Sequence, residues 1–360
     1  MNKVNEAPVR ILKRAELPAN KALMLRLGAF VLSLGVGGLF IMTLGHSPIL
    51  IYKTIISGAF RSKLAIQGTV KLMIPMLIAS LGIILAFKMR FWNIGAEGQI
   101  TMGAAFATYF ALYHSGWNHW LLIAVMLVAG IVGGGLWGLL PAYFKTKYGT
   151  NETLFTLMLN YIAMYIVKYL RDGPWMDPEL QGYTAIARFS KNATLDKVFG
   201  VHFGWILALI LLVIVFIYMR YSKHGYEIAV VGESQDTARY AGMNVKKIIL
   251  RTMFLSGAVC GLCGMIQATG ADITLTPSVA GGVGFTAIII AWLARLDART
   301  IFVISFLFSV LEKGSSVVQS TYGISTNCAD VLQGIILFFV LGCEFFVNYR
   351  FVLRKGGSSK

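Results

Sequence analysis

Residues 27–44 read Leu27-Gly-Ala-Phe-Val-Leu-Ser-Leu-Gly-Val-Gly-Gly-Leu-Phe-Ile-Met-Thr-Leu44, without a charged side chain. At about 1.5 Å of rise per residue, a helix of this length is close to the ~30 Å hydrocarbon thickness of a bilayer. The stretch before it, Met1–Arg26, is polar and basic. No small-residue cleavage site follows, so the expectation is an uncleaved first membrane helix rather than a removable signal peptide.

The rest of the chain repeats this pattern. Its 360 residues are 57% hydrophobic and only 13% charged, against about 25% charged in soluble domains. Mean hydropathy is +0.70. A soluble protein of this length could not cover its surface with so few ions. The formal net charge of +16 would suggest nucleic-acid binding if it formed one stripe. Here Lys and Arg sit at the ends of apolar runs, as topology-setting residues do, and no nucleic-acid partner is expected.

Apolar runs fall at about 27–44, 64–88, 91–113, 119–144, 150–170, 203–219, 251–270, 283–296, 300–319 and 329–348. The sequence therefore predicts an all-α polytopic bundle of about ten spans. With an inside N-terminus, 22 of the 32 basic residues lie on the cytoplasmic side, and the positive-inside rule places both termini there. Residues 1–26 and 350–360 read as cytoplasmic tails, 27–349 as the transmembrane domain, and 220–250 as its largest cytoplasmic loop. The longest outside loop runs from Arg171 to His202.

Small residues mark where helices approach closely. Gly130, Gly134 and Gly138 share one helix face, as do Gly257 and Gly261, and such faces permit tight packing in lipid. Cys260 and Cys263 form a C-x-x-C inside an apolar run, with no second Cys or His pair nearby. Two small packing residues are expected there rather than a metal or redox site.

The 220–250 loop predicts a short helix from about Ser234 to Tyr240. Ser234 suits its N-cap, Asp236 its first turn, and Gly242 a C-terminal stop. From these residues alone it reads as a solvated surface loop. Gly232-Glu233-Ser234 and Ala238-Arg239-Tyr240-Ala241-Gly242, with Ser256-Gly257-Ala258 soon after, resemble the coupling segment of ABC importer permeases of the sugar and branched-chain amino-acid group. Phe91-Trp92-Asn93-Ile94-Gly95-Ala96-Glu97-Gly98-Gln99 resembles the F-N-I-G-x-E-G-Q signature of nucleoside permeases in that group, departing from it at Trp92. Thr150-Asn151-Glu152-Thr153-Leu154, then Thr156-Leu157-Met158-Leu159-Asn160-Tyr161, resembles their T-N-E…T-L-M-L-N-Y segment.

The resemblance, closest to guanosine or purine-nucleoside uptake permeases, implies a non-enzymatic subunit. Gly232, Glu233, Asp236, Ala238, Arg239, Tyr240, Ala241 and Gly242 would couple it to an ABC ATPase. A second homologous permease and an extracytoplasmic substrate-binding lipoprotein would complete the assembly. No G-x-x-x-x-G-K-[ST] loop occurs. ATP and magnesium are thus expected on the partner ATPase, and no cofactor or metal on this chain. Solute would cross by alternating access.

The polar residues inside these motifs admit two readings. Asn93, Glu97 and Gln99, and likewise Asn151 and Glu152, can cap or open helices, or line a substrate path. Asn160, deeper in its run, suits a polar path or an interhelical hydrogen bond, and Tyr161 could stack on a base or pack. The Gly270–Phe285 segment permits irregular backbone near the membrane, with Asp272 read as a solvated acid. An inverted repeat of two five-helix halves would oppose the third and eighth spans, although no sequence match carries it. The rival readings are an ABC permease for simple sugars and an ion-gradient-driven secondary transporter, the latter needing functional acids inside the membrane. Most acids here lie at predicted helix ends, except Glu312 beside Lys313.

Overall fold

The computed structural model describes residues 9–13, 18–179, 182 and 184–353. It divides into two compact units, one of residues 1–58 and 314–360, the other of residues 59–313. Helices α1 (Ala19–Thr43), α2 (Pro48–Phe60), α3 (Lys63–Lys88), α4 (Ala96–Tyr113), α5 (His119–Tyr148) and α6 (Glu152–Asp172) occupy the first half. After an irregular loop come α7 (Gly204–Tyr221), α8 (Lys223–Glu233), α9 (Gln235–Tyr240) and α10 (Val245–Ile266). A π-helical turn at Gln267–Asp272 leads to α11 (Val283–Leu293), α12 (Ala298–Tyr322) and α13 (Asn327–Asn348).

Among the described residues seven helices are long and apolar enough to cross a membrane. They are eight if α1 and α2, bent by 108° at a short break, form one broken span. Helix α2 was not expected from sequence. Pro48 begins it, a position where the missing N–H costs nothing. In the first unit Tyr52 of α2 donates to the Leu34 carbonyl of α1 at 2.8 Å. Gly314 packs directly on the backbone of Ile55, and α13 lies along α1.

The all-α expectation needs one correction. Val9–Lys13 (β1) pairs antiparallel with Tyr349–Leu353 (β4), so parts of both predicted tails are strand. Each segment carries β-branched or aromatic residues interleaved with Arg or Lys, a pattern suited to a two-stranded ribbon. A smaller ribbon, β2 (Lys197–Val198) with β3 (Val201–His202), sits in the loop before α7.

In the second unit α10 is the centre, packing on α5, α4 and α3. The two glycine faces meet one another. A methyl group at Gly138 would lie 2.6 Å from the Met253 carbonyl and 3.1 Å from Gly257 Cα. Gly134 abuts both Gly257 and Gly261, and Gly264 is pressed on the Ile100 carbonyl of α4. No larger residue fits at these crossings. Cys260 and Cys263 are buried on the α3 side of α10, where the Cys263 thiol points at the Pro75 carbonyl at 3.5 Å.

Candidate functional site

Helix α4 does not begin where the apolar run begins. Residues 91–95 are non-helical, and the first helical residue is Ala96. The segment climbs into the bundle before the helix starts. Asn93 meets Ser256, which lies about 16 Å along α10 from its start at the standard rise. Irregular backbone at such depth is tolerated only where protein or a cavity satisfies its polar groups.

The motif residues satisfy them. Asn160 on α6 accepts from Gly98 N at 2.8 Å and donates to the Ile94 carbonyl at 2.9 Å. Thr156, one turn earlier, accepts from Ile94 N at 3.2 Å. Asn93 accepts from Gly95 N at 3.0 Å and exchanges hydrogen bonds of 3.2 Å with Gln99 in both directions. Asn93 and Gln99 are almost completely buried. The runs Phe91–Gln99 and Thr150–Tyr161, far apart in sequence, thus interlock: Asn160 fastens α6 to the start of α4, Asn93 fastens that start to α10, and Gln99 holds Asn93 in place. The Asn and Gln orientations follow the network that each amide makes.

Glu97 holds a different partner. Its Oε1 accepts from Gly282 N and its Oε2 from Gly284 N, each at 2.8 Å. The N-terminus of α11 is therefore capped by a carboxylate from α4. Asn151 caps α6, accepting from Thr153 N and Leu154 N at 3.0 and 3.2 Å. Glu152 pairs with Lys145 at 2.7 Å, and Tyr161 is exposed on the outer face of α6. Asn151, Glu152 and Tyr161 are therefore apart from the buried cluster. Asp272 is exposed and receives a 3.4 Å contact from Gln267.

At the end of the unit that carries α8 and α9, Ser234 caps α9 by accepting from Thr237 N at 3.2 Å. Arg239 and Asp236 pair across one turn at 2.8 Å. Gly242 takes φ +76°, which a residue with a Cβ adopts only at a cost. Tyr240 is 94% exposed, and Asp236, Arg239, Ala241 and Gly242 share the solvent side with it. Ala238 is fully buried, so it supports the turn from within. Gly232 and Glu233 belong to α8, the helix missed from sequence. Gly232 lies against the Lys88 carbonyl, while Glu233 is exposed. The missed signal was amphipathicity with an N-cap: Ser222 accepts from Gly225 N at 3.0 Å, and Ile228 and Val231 are buried. Arg251 of α10 binds Glu227 of α8 at 2.8 Å and holds that carboxyl below the usual carboxylate range.

At the opposite end, a cavity of about 760 Å³ opens between the 171–188 and 274–278 segments. Arg171, Asp177, Glu179 and Arg188 line it. His202 of β3 is buried nearby against Gly204 and Gly270, and neither ring nitrogen has a partner among the described residues. Among the described residues no cluster of His, Cys, Asp or Glu could hold a metal.

The described residues form a bundle of helices long and apolar enough to cross a membrane, with a capped two-helix excursion between α7 and α10, the architecture of a multi-span membrane protein. Residues 65–341 match the family described as branched-chain amino acid transport system / permease component, and the chain belongs to that family. It is a multi-pass ABC transporter permease and not itself an enzyme. The glucose ABC transporter permease protein TsgB13 of Haloferax volcanii is 30% identical over 88% of this chain and 87% of its own. The guanosine ABC transporter permease protein NupP of Bacillus subtilis is 28% identical over 92% and 96%. The nucleoside ABC transporter permease protein NupB of Lactococcus lactis is 28% identical over 87% and 88%. Membership of the family implies an ATPase and a substrate-binding protein as partners.

Proposed function

We propose that this chain is one of two permease subunits of an ATP-driven importer that carries nucleosides into the cell by alternating access. The observation that supports it best is the interlock of Phe91–Gln99 with Thr150–Tyr161 through Asn160 and Thr156. These are the two runs that resemble nucleoside permeases, and they build one buried unit beside the irregular backbone. The guanosine and nucleoside permeases NupP and NupB agree with that reading. TsgB13 favours a second one, a simple sugar.

In this scheme the eight candidate spans, with α4 and α11 added, make ten membrane segments, and both termini lie in the cytoplasm. The antiparallel pairing of β1 with β4 supports tails on one side of the membrane. Helices α4 and α11, both starting inside the bundle, are the pair an inverted repeat would relate. The exposed face of α9 (Asp236, Arg239, Tyr240) with Ala241 and Gly242 docks on the ATPase, which binds the ATP and magnesium. Motion passes from α9 through α8 and the Glu227–Arg251 pair to α10. The lipoprotein delivers solute at the opposite end, over the cavity lined by Arg171 and Arg188.

The test is ATP-dependent uptake of labelled guanosine, adenosine and glucose by vesicles holding the full complex. Saturable guanosine uptake, competed by other nucleosides and not by glucose, is the expected result. Glucose uptake alone would replace the nucleoside reading with the sugar one.

A further inference from the structure

The register of the α5–α10 crossing decides which of their ends meet. Gly134 abuts Gly257 and Gly261, while Gly138 abuts Gly257 and the Met253 carbonyl, so the two helices run antiparallel. Thr146 lies eight residues beyond Gly138, and Val245 eight before Met253, about 12 Å along each helix. Lys145 and Lys147 of α5 and Lys246 and Lys247 of α10 therefore lie at one level, at the end that carries α8 and α9. The apolar run of α5 stops at Phe144, and Lys and Arg that follow such a run mark the membrane surface.

A cavity of about 510 Å³ opens on the flank of this crossing, between α4, α5 and α10. Phe106, Gly133, Leu136, Leu140, Tyr143 and Leu250 help to line it, and no lining residue carries a charge. From Gly133 to Tyr143 it follows α5 for about 15 Å. Phe106, Leu136, Leu140 and Tyr143 are exposed along it.

At the Tyr143 end the chemistry changes. The Tyr143 hydroxyl accepts from Lys147 Nζ at 2.9 Å, which leaves its own proton free to donate. The same ammonium lies 5.3 and 5.2 Å from the ring centres of Tyr143 and Tyr148. Lys145 is neutralised by Glu152 at 2.7 Å. Lys147, Lys246 and Lys247 are exposed and, among the described residues, pair with no carboxylate. Lys246 stands one turn before Leu250 on the same helix face. An uncharged groove thus ends at uncompensated ammonium groups and a phenol.

We propose that this groove binds an anionic glycerophospholipid of the adjoining leaflet. One acyl chain fills the apolar length from Tyr143 to Gly133. The phosphate accepts from the Tyr143 hydroxyl and from the ammonium groups of Lys147 and Lys246. Charge complementarity selects a net-negative headgroup, because a zwitterionic one brings its own ammonium beside the lysines. Basic pockets between spanning helices at the membrane surface hold such headgroups. The lipid bridges α5 to α10 at headgroup level, beyond the reach of the glycine contacts.

The test uses the purified full-length chain in detergent, with native mass spectrometry and thermal melts. Phosphatidylglycerol, phosphatidylcholine and inorganic phosphate are the probes. Phosphatidylglycerol is expected to stay bound and to raise the melting temperature, and the other two to do neither. Lys147→Gln and Lys246→Gln should each weaken phosphatidylglycerol binding about fivefold, and together remove the preference over phosphatidylcholine. Leu136→Trp fills the groove without touching a charge and should expel the lipid; the surface lysine variants decide the matter if it does not fold. Equal retention of the two lipids by the wild type, or full preference in the double lysine variant, leaves only unselective lipid around the helices and overturns the site. An equal thermal shift with inorganic phosphate would make it a free-anion site instead. A photo-crosslinking residue at Leu140 that labels another protein subunit in the complete importer would show the groove covered by protein, which also overturns the proposal.

Discussion

Asn160 shows how one side chain holds a membrane fold together. Its two ends satisfy Gly98 N and the Ile94 carbonyl, neither of which has a helical partner at the start of α4. Asn160→Leu leaves both groups buried and unpaired, at about 1–3 kcal/mol each. We expect lower yield of folded protein and a lower melting temperature in detergent, with Asn160→Asp less damaging at the Gly98 end. A wild-type melt for the leucine variant would remove the fastening role. His202 offers a test by pH. Burial first, and then the Lys71 ammonium, push its imidazole from 6.5 down to about 4. The unfolded chain therefore takes up a proton that the folded chain resists as pH falls through 6.5. His202 costs no stability above that point. Between 6.5 and 4 the fold loses stability, by about 3 kcal/mol at the lower end. His202→Gln should flatten the fall of melting temperature between pH 7 and pH 4.5. An identical slope in wild type and variant would show that other groups govern the acid response.

At the scale of elements, α5 and α10 need no large apolar ridge to associate. Their glycines bring backbone against backbone, so dispersion and close packing replace the hydrophobic force that lipid cannot supply. Helix α9 is different: it is short, capped by Ser234 and closed by Gly242, with its charged face outward. Arg239→Glu reverses a charge on that face and opposes Asp236. Gly242→Val forces a β-branched residue to φ +76°. Ala238, buried beneath, is untouched by either. We expect both variants to insert in the membrane at wild-type levels and to lose co-purification with the ATPase, or solute-stimulated hydrolysis, by roughly tenfold or more. If both bind the ATPase and transport as wild type does, the turn is only a solvated connector.

At the scale of the molecule, the prediction is sidedness. A cysteine placed at Ser358, in a background without native cysteines, should resist an impermeant thiol reagent in intact cells and react after lysis. The Lys and Arg distribution motivates this, and the pairing of β1 with β4 brings residues 9–13 and 349–353 together. Labelling before lysis would invert the topology and move α9 to the wrong side for an ATPase.

Hydrophobic length and charge placement were enough to read a polytopic helical bundle from Leu27 to Leu44 onward. Both depend on transfer from water to lipid, which each segment undergoes with little reference to its neighbours. The α9 turn was legible for a similar reason, since Ser234, Asp236 and Gly242 are local capping signals. The sequence alone left open what Asn93, Glu97, Gln99 and Asn160 do. Each is a buried polar group whose meaning lies in a partner far along the chain: Ser256 for Asn93, Gly98 for Asn160, Gly282 and Gly284 for Glu97. Nor did local pattern show that the 91–113 run starts as irregular, non-helical chain, because its apolar content is the same either way. Only the tertiary structure decided that, by supplying Thr156 and Asn160 as hydrogen-bond partners for a backbone that no helix would otherwise satisfy.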